Sequence, residues 1–323
     1  MPKLAFLINP ASGGGLGAEV HARLEAVLES FGMKRDSWVA EITEANRLEE
    51  QTDALLRSTR KLIAVGGDGT LGIVLDRVRR LRPNTVIGLI PLGTGNDLGR
   101  ALGVYRVYDS KGLVACLKRL LMAPNLPFDL WDAGGGSATV VSYLSVGMDA
   151  AVLRDFDRAR KRGVVVGGAL GNKLFYLRAL IKRAGHRLPA GARALLQTPD
   201  GPVDLDLAGK RSLLAANIDS YAAGAHPVPG NRFDDGLLEV VVFDSLWRYM
   251  AVVGLSRLFP GFARRAGLIR HRASRVELFI PDDMPVQIDG EDFTGRFAGK
   301  PLSIDFAARV RLLDLRRSFY ALF

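Results

Sequence analysis

The chain has 323 residues, of which 48% are hydrophobic and 24% charged, and its formal net charge is +10. This composition excludes a disordered or fibrous protein, and the length favours two domains over a single core. The single cysteine, Cys116, excludes an internal disulfide framework. Because the sequence also has no apolar stretch of about 20 residues, we expect a cytoplasmic protein without a membrane span.

The first 125 residues alternate between the patterns of strands and helices. Strands are predicted over residues 4–9, 38–42, 62–65 and 86–90. Helices are predicted over residues 18–31, 47–60 and 71–81. Strands joined by helices of this length form a parallel sheet with helices on both faces, so we predict an α/β nucleotide-binding domain over residues 1–125.

The rest of the chain predicts a β-rich second domain, an α+β sandwich over residues 126–309. Its strand patterns cover residues 140–146, 194–198, 203–207, 213–218, 237–243, 276–280, 286–288 and 302–306. Its helical patterns cover residues 150–159, 173–184 and 246–259. Turn pairs of Asp and Gly separate several of these strands, as in antiparallel sheets. Residues 123–127 have the composition of a linker, and residues 310–323 are candidates for completing the first domain.

Three glycine-rich segments of the first domain each follow a predicted strand. They are Asn9–Gly15, Gly66–Thr70 and Gly93–Asp97. Ligands of parallel sheets bind beyond the carboxyl ends of the strands, where glycines let backbone amides approach phosphate oxygens. The first segment matches neither the dinucleotide fingerprint nor the Walker loop, so a flexible strand–helix turn remains an alternative for it.

The second and third segments each keep an acid, Asp68 and Asp97. An acid at such a strand end either caps the following helix or meets a cation. Because two carboxylates would repel phosphates that carry no metal, the pair points to Mg²⁺ with ATP rather than to a bare anion.

These segments resemble a known family. Asn9-Pro10-Ala11-Ser12-Gly13, Gly66–Thr70 and Pro91–Asp97 resemble the catalytic domain of diacylglycerol kinases, which sphingosine and ceramide kinases share, and bacterial soluble lipid kinases in particular. Phe233–Leu238 is similar to the family's metal loop, and Gln287–Glu291 to its catalytic Asp-Gly-Glu turn. The resemblance covers nearly the whole chain. It implies transfer of the γ-phosphoryl group of ATP to the hydroxyl of a diacylglycerol-like or sphingoid lipid, in an Mg²⁺-dependent cleft between the domains.

The resemblance also implies roles for individual residues. Glu291 is the implied general base, with Asp289 and Asp68 as the other catalytic residues. The implied ATP contacts are Asn9, Ser12, Gly13, Thr43, Gly66, Gly67, Asp68, Gly69, Thr70, Leu71, Gly72, Thr94 and Asn96. The implied Mg²⁺ ligands are Asp68, Asp97 and Asp129 near the nucleotide, and Asp235 with the backbone carbonyls of Arg232 and Leu237 at a second, structural ion. Without the family pattern, Asp235-Gly236 and Asp289-Gly290 would be read as ordinary turns.

The positive charge suits nucleic acid, polyphosphate or an anionic membrane. No recognition-helix or zinc-finger spacing accompanies it, so nucleic acid is not an expected partner. Residues 246–262 are apolar and flanked by arginines, which indicates either an interfacial helix or an ordinary core helix. We therefore expect a lipid substrate and peripheral contact with an anionic membrane surface, and a homodimer stays open.

Two alternative functions share parts of this pattern. An NAD kinase-like enzyme would have the same Gly-Gly-Asp-Gly loop, and a catalytically silent lipid-binding regulator would have the same fold. The acids Asp68, Asp97 and Glu291 argue against the silent protein. Two positions depart from the family pattern. Gly14 stands where many members have a basic residue, so some phosphate neutralisation must come from Mg²⁺ or another basic residue. Ala222-Ala223-Gly224 stands where three glycines are usual, and this change leaves the lipid open.

Overall fold

The structure is a computed structural model that describes residues 3–44, 46–162, 169–259, 261–297, 299 and 301–316. The contacts divide the chain into two compact units. The first contains the described residues up to Leu130 and those from Ala307 onward, and the second runs from Trp131 to Phe306. Within the described ranges, none of the helices combines the length and the apolar character needed to cross a bilayer.

The N-terminal part alternates strands and helices, as the sequence predicts. In chain order the elements are β1 (Leu4–Ile8), α1 (Leu16–Ser30), β2 (Trp38–Ile42), α2 (Leu48–Ser58), β3 (Lys61–Gly66), α3 (Asp68–Leu81), β4 (Val86–Pro91), α4 (Asp97–Ala101) and α5 (Val104–Met122). Short 3₁₀ helices lie at Ser12–Gly14 and Arg35–Ser37.

The remaining elements are mostly strands. They are β5 (Asn125–Ala133), β6 (Ala138–Val140), β7 (Tyr143–Gly147), α6 (Met148–Lys161), α7 (Ala169–Lys182), β8 (Arg193–Thr198), β9 (Gly201–Asp206), β10 (Ser212–Ala216), β11 (Leu238–Phe243), α8 (Leu246–Leu255), α9 (Phe262–Arg265), β12 (Ile269–Ala273), β13 (Arg275–Phe279), β14 (Val286–Ile288), β15 (Glu291–Asp292) and β16 (Leu302–Leu313).

The first unit contains the predicted parallel sheet. Its strands run in the order β2-β1-β3-β4, and every neighbouring pair is parallel. The end of β16 extends the sheet, because Arg311 and Leu312 pair in parallel with the start of β4. All five residues of β1 are buried, as expected of a parallel strand covered on both faces. The ends of β3 and β4 therefore lie side by side, and the loops that follow them begin at the same edge.

The second unit is the predicted β-rich sandwich. One sheet has the antiparallel order β12-β11-β10-β7-β14-β15. Strand β10 has two buried faces, because successive side chains of a strand point to opposite sides. Leu213 and Ala215 pack with Leu196 and Val276 of the strands opposite. Leu214 and Ala216 instead join a second apolar cluster that includes Tyr221 and Tyr249.

The structure departs from the sequence prediction at several elements. Residues 123–127 were expected to be a linker, but β5 begins at Asn125 and becomes buried from Phe128. The predicted strand 140–146 is split into β6 and β7. Strands β12 and β15 were not predicted, because β12 reads Ile-Arg-His-Arg-Ala and β15 has only two residues.

Candidate active site

Two predicted acids converge at the ends of β3 and β4. Asp68 is the first residue of α3, and its Oδ2 accepts a hydrogen bond of 2.7 Å from the backbone N–H of Asn96. A Cβ atom on Gly95 would lie 3.0 Å from Oδ2 of Asp68 and 3.7 Å from Oδ2 of Asp97. The structure thus brings both carboxylates to one glycine, although they are far apart in the sequence.

The two loops approach each other through glycines. A Cβ on Gly93 would lie 2.8 Å from the Cα of Gly67, so a side chain there would force the loops apart. The backbone N–H of Leu92 donates to the carbonyl of Gly66 at 2.9 Å, which fixes the strand ends together. A small pocket forms at this junction, lined by Ala64, Gly66, Gly67, Asp68, Thr70, Leu71, Leu89, Pro91 and Asn96.

Asn96 combines a strained backbone with an unsatisfied side-chain oxygen. It has φ of 53°, in the left-handed region that is uncommon for a residue other than glycine. Its Nδ2 donates to the carbonyl of Gly93 at 2.6 Å, whereas its buried Oδ1 has no hydrogen-bond partner in the part of the chain that the structure describes. Strain and an unpaired buried acceptor cluster at functional sites.

These oxygens fit Mg²⁺ bound together with a phosphate ligand. Among the described residues, no group of three or more His, Cys, Asp or Glu side chains is arranged to hold a metal by itself. Mg²⁺ is commonly bound by one or two carboxylates, with water and substrate phosphates completing its octahedron. The carboxylates of Asp68 and Asp97 provide such a pair, with Oδ1 of Asn96 beside them in the loop.

The first glycine-rich segment is attached to the same strand ends. Asn9 is held at the end of β3, because its backbone N–H donates to the carbonyl of Val65 at 2.9 Å. Its Nδ2 donates to the hydroxyl of Thr70 at 3.0 Å, and its Oδ1 accepts from the N–H of Ala11 at 3.1 Å. Gly13 has φ of 65°, and a Cβ there would lie 2.8 Å from the carbonyl oxygen of Leu92. The segment therefore packs on the β4 loop instead of forming an independent turn.

The other predicted nucleotide contacts differ in exposure. Ser12 and Gly67 are partly buried, Gly69 and Thr94 are exposed, and the side chains of Thr70 and Leu71 are buried. Gly72 is partly buried, and Thr43 follows β2, where its N–H donates to the carbonyl of Ile8 at 2.8 Å.

Arg100 is a candidate that the sequence prediction missed. Its Nε donates to the carbonyl of Gly95 at 3.1 Å, and its guanidinium carbon lies 3.8 Å from the centre of the Tyr105 ring. The side chain is therefore held at the loop that carries Asp97. The sequence feature that could have indicated Arg100 is its place three residues after Asp97, the acid at the start of α4.

The predicted Asp-Gly-Glu turn lies in the second unit, between β14 and β15. Asp289 has φ of 50°, and its carboxylate accepts hydrogen bonds from three backbone N–H groups, those of Val141, Ser142 and Tyr143, at 2.7–3.0 Å. Glu291 is exposed and pairs with Ile288 across the hairpin. The turn thus holds Asp289 inward and presents Glu291 to solvent.

The two acids of this turn have different electrostatic environments. Burial raises the pKa of Asp289 to about 6, although the three amide donors favour its ionised form. The charge of Glu291 also raises the pKa of Asp289, but it is the smallest of the causes. Burial, rather than the neighbouring charge of Glu291, is thus the main reason that the pKa of Asp289 is raised.

A buried polar cluster supports the strand that leads into the turn. Nε2 of Gln287 donates to Oδ2 of Asp149 at 3.1 Å and to the hydroxyl of Ser145 at 2.7 Å. The Tyr221 hydroxyl donates to the same Asp149 oxygen at 2.7 Å and lies 3.3 Å from the Tyr249 hydroxyl. Burial, followed by the charge of Asp149, raises the pKa of Tyr221. The sequence did not predict this cluster, whose members are up to 142 residues apart.

Two further predicted metal ligands are paired with arginines. Asp129 is 1% exposed, and its carboxylate accepts two hydrogen bonds from the guanidinium of Arg309, at 2.5 and 3.0 Å. Asp235 pairs with Arg272, and the side chain of Arg232 pairs with Asp234 at 3.1 Å. The partners lie up to 180 residues away along the chain, so the sequence alone gave no sign of them.

Two family models match the chain. The model described as the diacylglycerol kinase catalytic domain matches residues 3–130, and the model described as the diacylglycerol kinase accessory domain matches residues 139–292. Together they cover most of the sequence and include every glycine-rich segment and the Asp-Gly-Glu turn.

Curated relatives and solved structures carry the same name. The chain is 28% identical over 324 residues to the eye-specific diacylglycerol kinase of Drosophila melanogaster, and 27% identical over 322 residues to human diacylglycerol kinase theta. Each alignment covers 90% of this chain, but only 21% and 32% of those longer proteins. The fold is similar to a crystal structure of a diacylglycerol kinase from Bacillus anthracis, with a TM-score of 0.66, 17% identity and 98% of both chains covered.

Proposed function

The chain belongs to the diacylglycerol kinase family, and from that premise we propose that it is a lipid kinase that transfers the γ-phosphoryl group of ATP to a lipid hydroxyl. The observation that carries this proposal is the convergence of Asp68 and Asp97 on Gly95. Two acids beside glycine loops at the ends of parallel strands suit a metal–nucleotide ligand. The lipid is proposed to be diacylglycerol-like or sphingoid.

ATP is proposed to bind along the three glycine-rich segments of the first unit. Exposed backbone at Gly69 and Thr94 offers amides to phosphate oxygens, and the close contact of Gly67 with Gly93 keeps side chains out of their way. Arg100 is proposed to supply the positive charge that Gly14 lacks. Its Nη atoms extend from a guanidinium fixed at the Gly95 carbonyl and the Tyr105 ring, and a guanidinium fork is well suited to phosphate.

Mg²⁺ is proposed to be held by Asp68 and Asp97. When bound, such an ion neutralises charge on the phosphate oxygens. The residues of this chain supply the rest of the site: backbone amides orient the nucleotide, and the Asn96 side chain braces the loop through its bond to Gly93. Positioning and charge neutralisation account for most of the rate in phosphoryl transfer.

Glu291 is proposed as the general base. As the lipid oxygen attacks the γ-phosphorus of ATP, its hydroxyl proton passes to the Glu291 carboxylate, and the bond from phosphorus to the departing ADP oxygen breaks. The proposal is supported by the exposure of Glu291 at the tip of the β14–β15 hairpin. Asp289 is proposed to act beside it by holding the hairpin, through its three amide hydrogen bonds. If Glu291 proves dispensable, Asp68 becomes the preferred base.

The lipid is proposed to be met at a membrane surface. Trp247, Leu258 and Phe259, at the two ends of α8, are 76%, 74% and 66% exposed. Exposed apolar side chains next to arginines such as Arg265 are suited to the boundary of an anionic bilayer. We therefore propose peripheral association with anionic membranes.

The decisive experiment is transfer of label from radioactive ATP to a panel of lipids in mixed micelles. The panel contains diacylglycerol, monoacylglycerol, sphingosine, ceramide and phosphatidylglycerol. We expect one class to be labelled by the wild-type protein and none by Asp68→Ala, whose stability should change by less than about 1 kcal/mol. Asp109→Ala, at an exposed acid of α5, is the matched control and should retain activity.

Other outcomes of this experiment would support the alternatives. Labelling of NAD in place of every lipid would favour an NAD kinase-like enzyme. Binding of lipid without labelling of any acceptor would favour a silent regulator. Full activity of Asp68→Ala would contradict the role proposed for that carboxylate.

A further inference from the structure

Asp235 lies in an ion-pair network where the family resemblance implies a structural metal. The guanidinium of Arg272 donates through Nη2 to Oδ2 of Asp235 and through Nε to Oε1 of Glu239 at 3.2 Å. The other oxygen of Asp235, Oδ1, accepts from the backbone N–H of Leu237 at 3.1 Å. Both carboxylate oxygens of Asp235 thus already have donors, and one cation is shared by two acids.

This arrangement does not fit Mg²⁺ at Asp235. Mg²⁺ requires near-ideal octahedral geometry with oxygen ligands at about 2.0–2.1 Å. Each oxygen of Asp235 keeps a further lone pair, but an ion bound there would lie beside the guanidinium of Arg272. A divalent ion in that position would meet like charge. The site therefore already contains a cation without a metal.

The position of Arg272 is fixed by the sheet. Strand β12 pairs with β11 in a register that sets Arg272 directly opposite Glu239. Facing residues of opposite charge stabilise antiparallel strands. From this position the guanidinium also reaches Asp235 in the loop before β11, so it ties that loop to the edge of the sheet. The side chains of Asp235 and Glu239 are only 16% and 20% exposed, so screening by solvent is reduced.

Asp129, which the resemblance implies as an Mg²⁺ ligand near the nucleotide, also lies against an arginine, in the first unit. Its buried carboxylate is engaged on both oxygens by Arg309 of β16. An arginine fork on a carboxylate is among the strongest charge-assisted contacts in proteins.

We propose that Arg272 takes the place of a structural divalent cation in the second unit, so that the folded state of this unit does not depend on Mg²⁺. The guanidinium offsets one of the two negative charges of Asp235 and Glu239 and ties the loop that precedes β11 to β12. This inference does not depend on the proposed kinase reaction, because its readout is thermal unfolding.

The test is the melting temperature of the full chain, without nucleotide, in EDTA and in millimolar Mg²⁺ or Ca²⁺. We expect the wild-type transition to be the same in all three. Arg272→Gln leaves two acids without their cation, and should melt about 3–10 °C lower in EDTA. The melting temperature of this variant should then rise again on addition of divalent ions, since Asp235 and Glu239, no longer paired with Arg272, form a new cation site.

Three further variants sharpen the test. Arg275→Gln removes a more exposed ion pair, with Asp305, from β13, the next strand along the chain, and should change neither the melting temperature nor its dependence on metal. Arg272→Lys keeps the charge and should show no metal response. In the double variant Asp235→Asn with Arg272→Gln, the gain from divalent ions should disappear.

Two results would overturn the proposal. One is a wild-type melting temperature that falls in EDTA, rises with Mg²⁺ and loses this response in Asp235→Asn, which would assign a metal to Asp235. The other is an Arg272→Gln variant that melts like the wild type and ignores divalent ions, which would show that Arg272 has no structural role.

Discussion

Aspartates with the same predicted role have different partners in this structure. Asp68 accepts from the neutral amide of Asn96, whereas Asp129 and Asp235 lie against guanidinium groups. An amide donor leaves the charge of a carboxylate in place, and a guanidinium cancels it. Asp129 and Asp235 are therefore engaged in ion pairs that neither their residue type nor their turn motif indicates.

Glu291→Gln tests the general base. The substitution removes the proton acceptor while keeping the shape of the side chain, so we expect kcat to fall by about 10²–10⁴ and the affinity for ATP to be unchanged. Because Glu291 is exposed, the free energy of unfolding should change by less than about 0.5 kcal/mol. Steady-state kinetics, ATP titration and urea unfolding measure the three quantities. Asp283→Asn, at an exposed acid before β14, should leave all three unaltered. A normal kcat in Glu291→Gln would transfer the role to Asp68.

Arg100→Gln tests the proposed phosphate contact. Loss of a charge-assisted hydrogen bond should weaken ATP binding by about 10–100-fold and leave AMP binding unchanged, because only ATP carries the terminal phosphates. Calorimetric titration with both nucleotides measures the difference, with Arg106→Gln on the exposed face of α5 as control. Equal weakening of ATP and AMP would instead indicate that Arg100 only braces the Gly95 loop.

At the scale of elements, the β14–β15 hairpin is an acid-dependent structure. Its anchor is Asp289, whose pKa is raised from 3.8 to about 6 by burial. A carboxyl group with a higher pKa in the folded state stabilises the fold below its unfolded pKa, and this contribution is lost as the pH rises through the folded value. The hairpin should therefore be most stable near pH 4 and less stable from about pH 6 upward.

Asp289→Asn removes this titration and tests it. Relative to the variant, the wild type should lose about 3 kcal/mol of unfolding free energy between pH 4 and pH 7, with no further change above pH 7. Urea unfolding of both proteins at each pH gives the difference. A wild type that gains stability over the variant as the pH rises would show that the three amide donors outweigh burial.

The elements of the first unit up to β4 could be predicted because their patterns are local, whereas α4 and α5 were not predicted. A fully apolar strand such as β1 and the glycine turn after β3 carry their signals within a few residues. Strand β5 was not predicted because Pro127 lies inside it and only its second half is buried. Strand β12 was not predicted because it is rich in arginine. Its Arg272 pairs with Glu239 on the neighbouring strand, and this pairing can be identified only when the register of the two strands is known.

Across the whole molecule, the sequence placed the candidate acids but not their partners. Asp68 and Asp97 could be placed at one sheet edge because parallel strands bring their carboxyl ends together. Arg309 and Arg272 could not be assigned to Asp129 and Asp235, because ion pairs across 180 and 37 residues depend on tertiary packing. For the same reason the sequence prediction of a structural metal at Asp235 did not include the arginine that pairs with it.

The net charge of +10 and the exposed apolar side chains around α8 together predict that the protein binds anionic membranes. We expect the protein to bind vesicles containing phosphatidylglycerol more tightly than vesicles of phosphatidylcholine alone. Binding should weaken as salt rises past ~0.15 M, where the Debye length is ~8 Å. Replacing Trp247, Leu258 and Phe259 together by serine should weaken it by about 10-fold or more at every salt concentration, because the lost term is apolar burial.

The control for this triple variant is Met122→Ser, at a side chain of the first unit that is 78% exposed. It changes an equally accessible apolar group that belongs to the other unit, so vesicle co-sedimentation should not distinguish it from the wild type. If the triple variant binds normally and only salt matters, the contact is purely electrostatic and α8 does not enter the membrane. If neither lipid charge nor salt affects the wild type, the positive charge has no part in membrane binding. If vesicle binding weakens both in the triple variant and at high salt, an apolar surface and a charged surface of the protein act on the same bilayer.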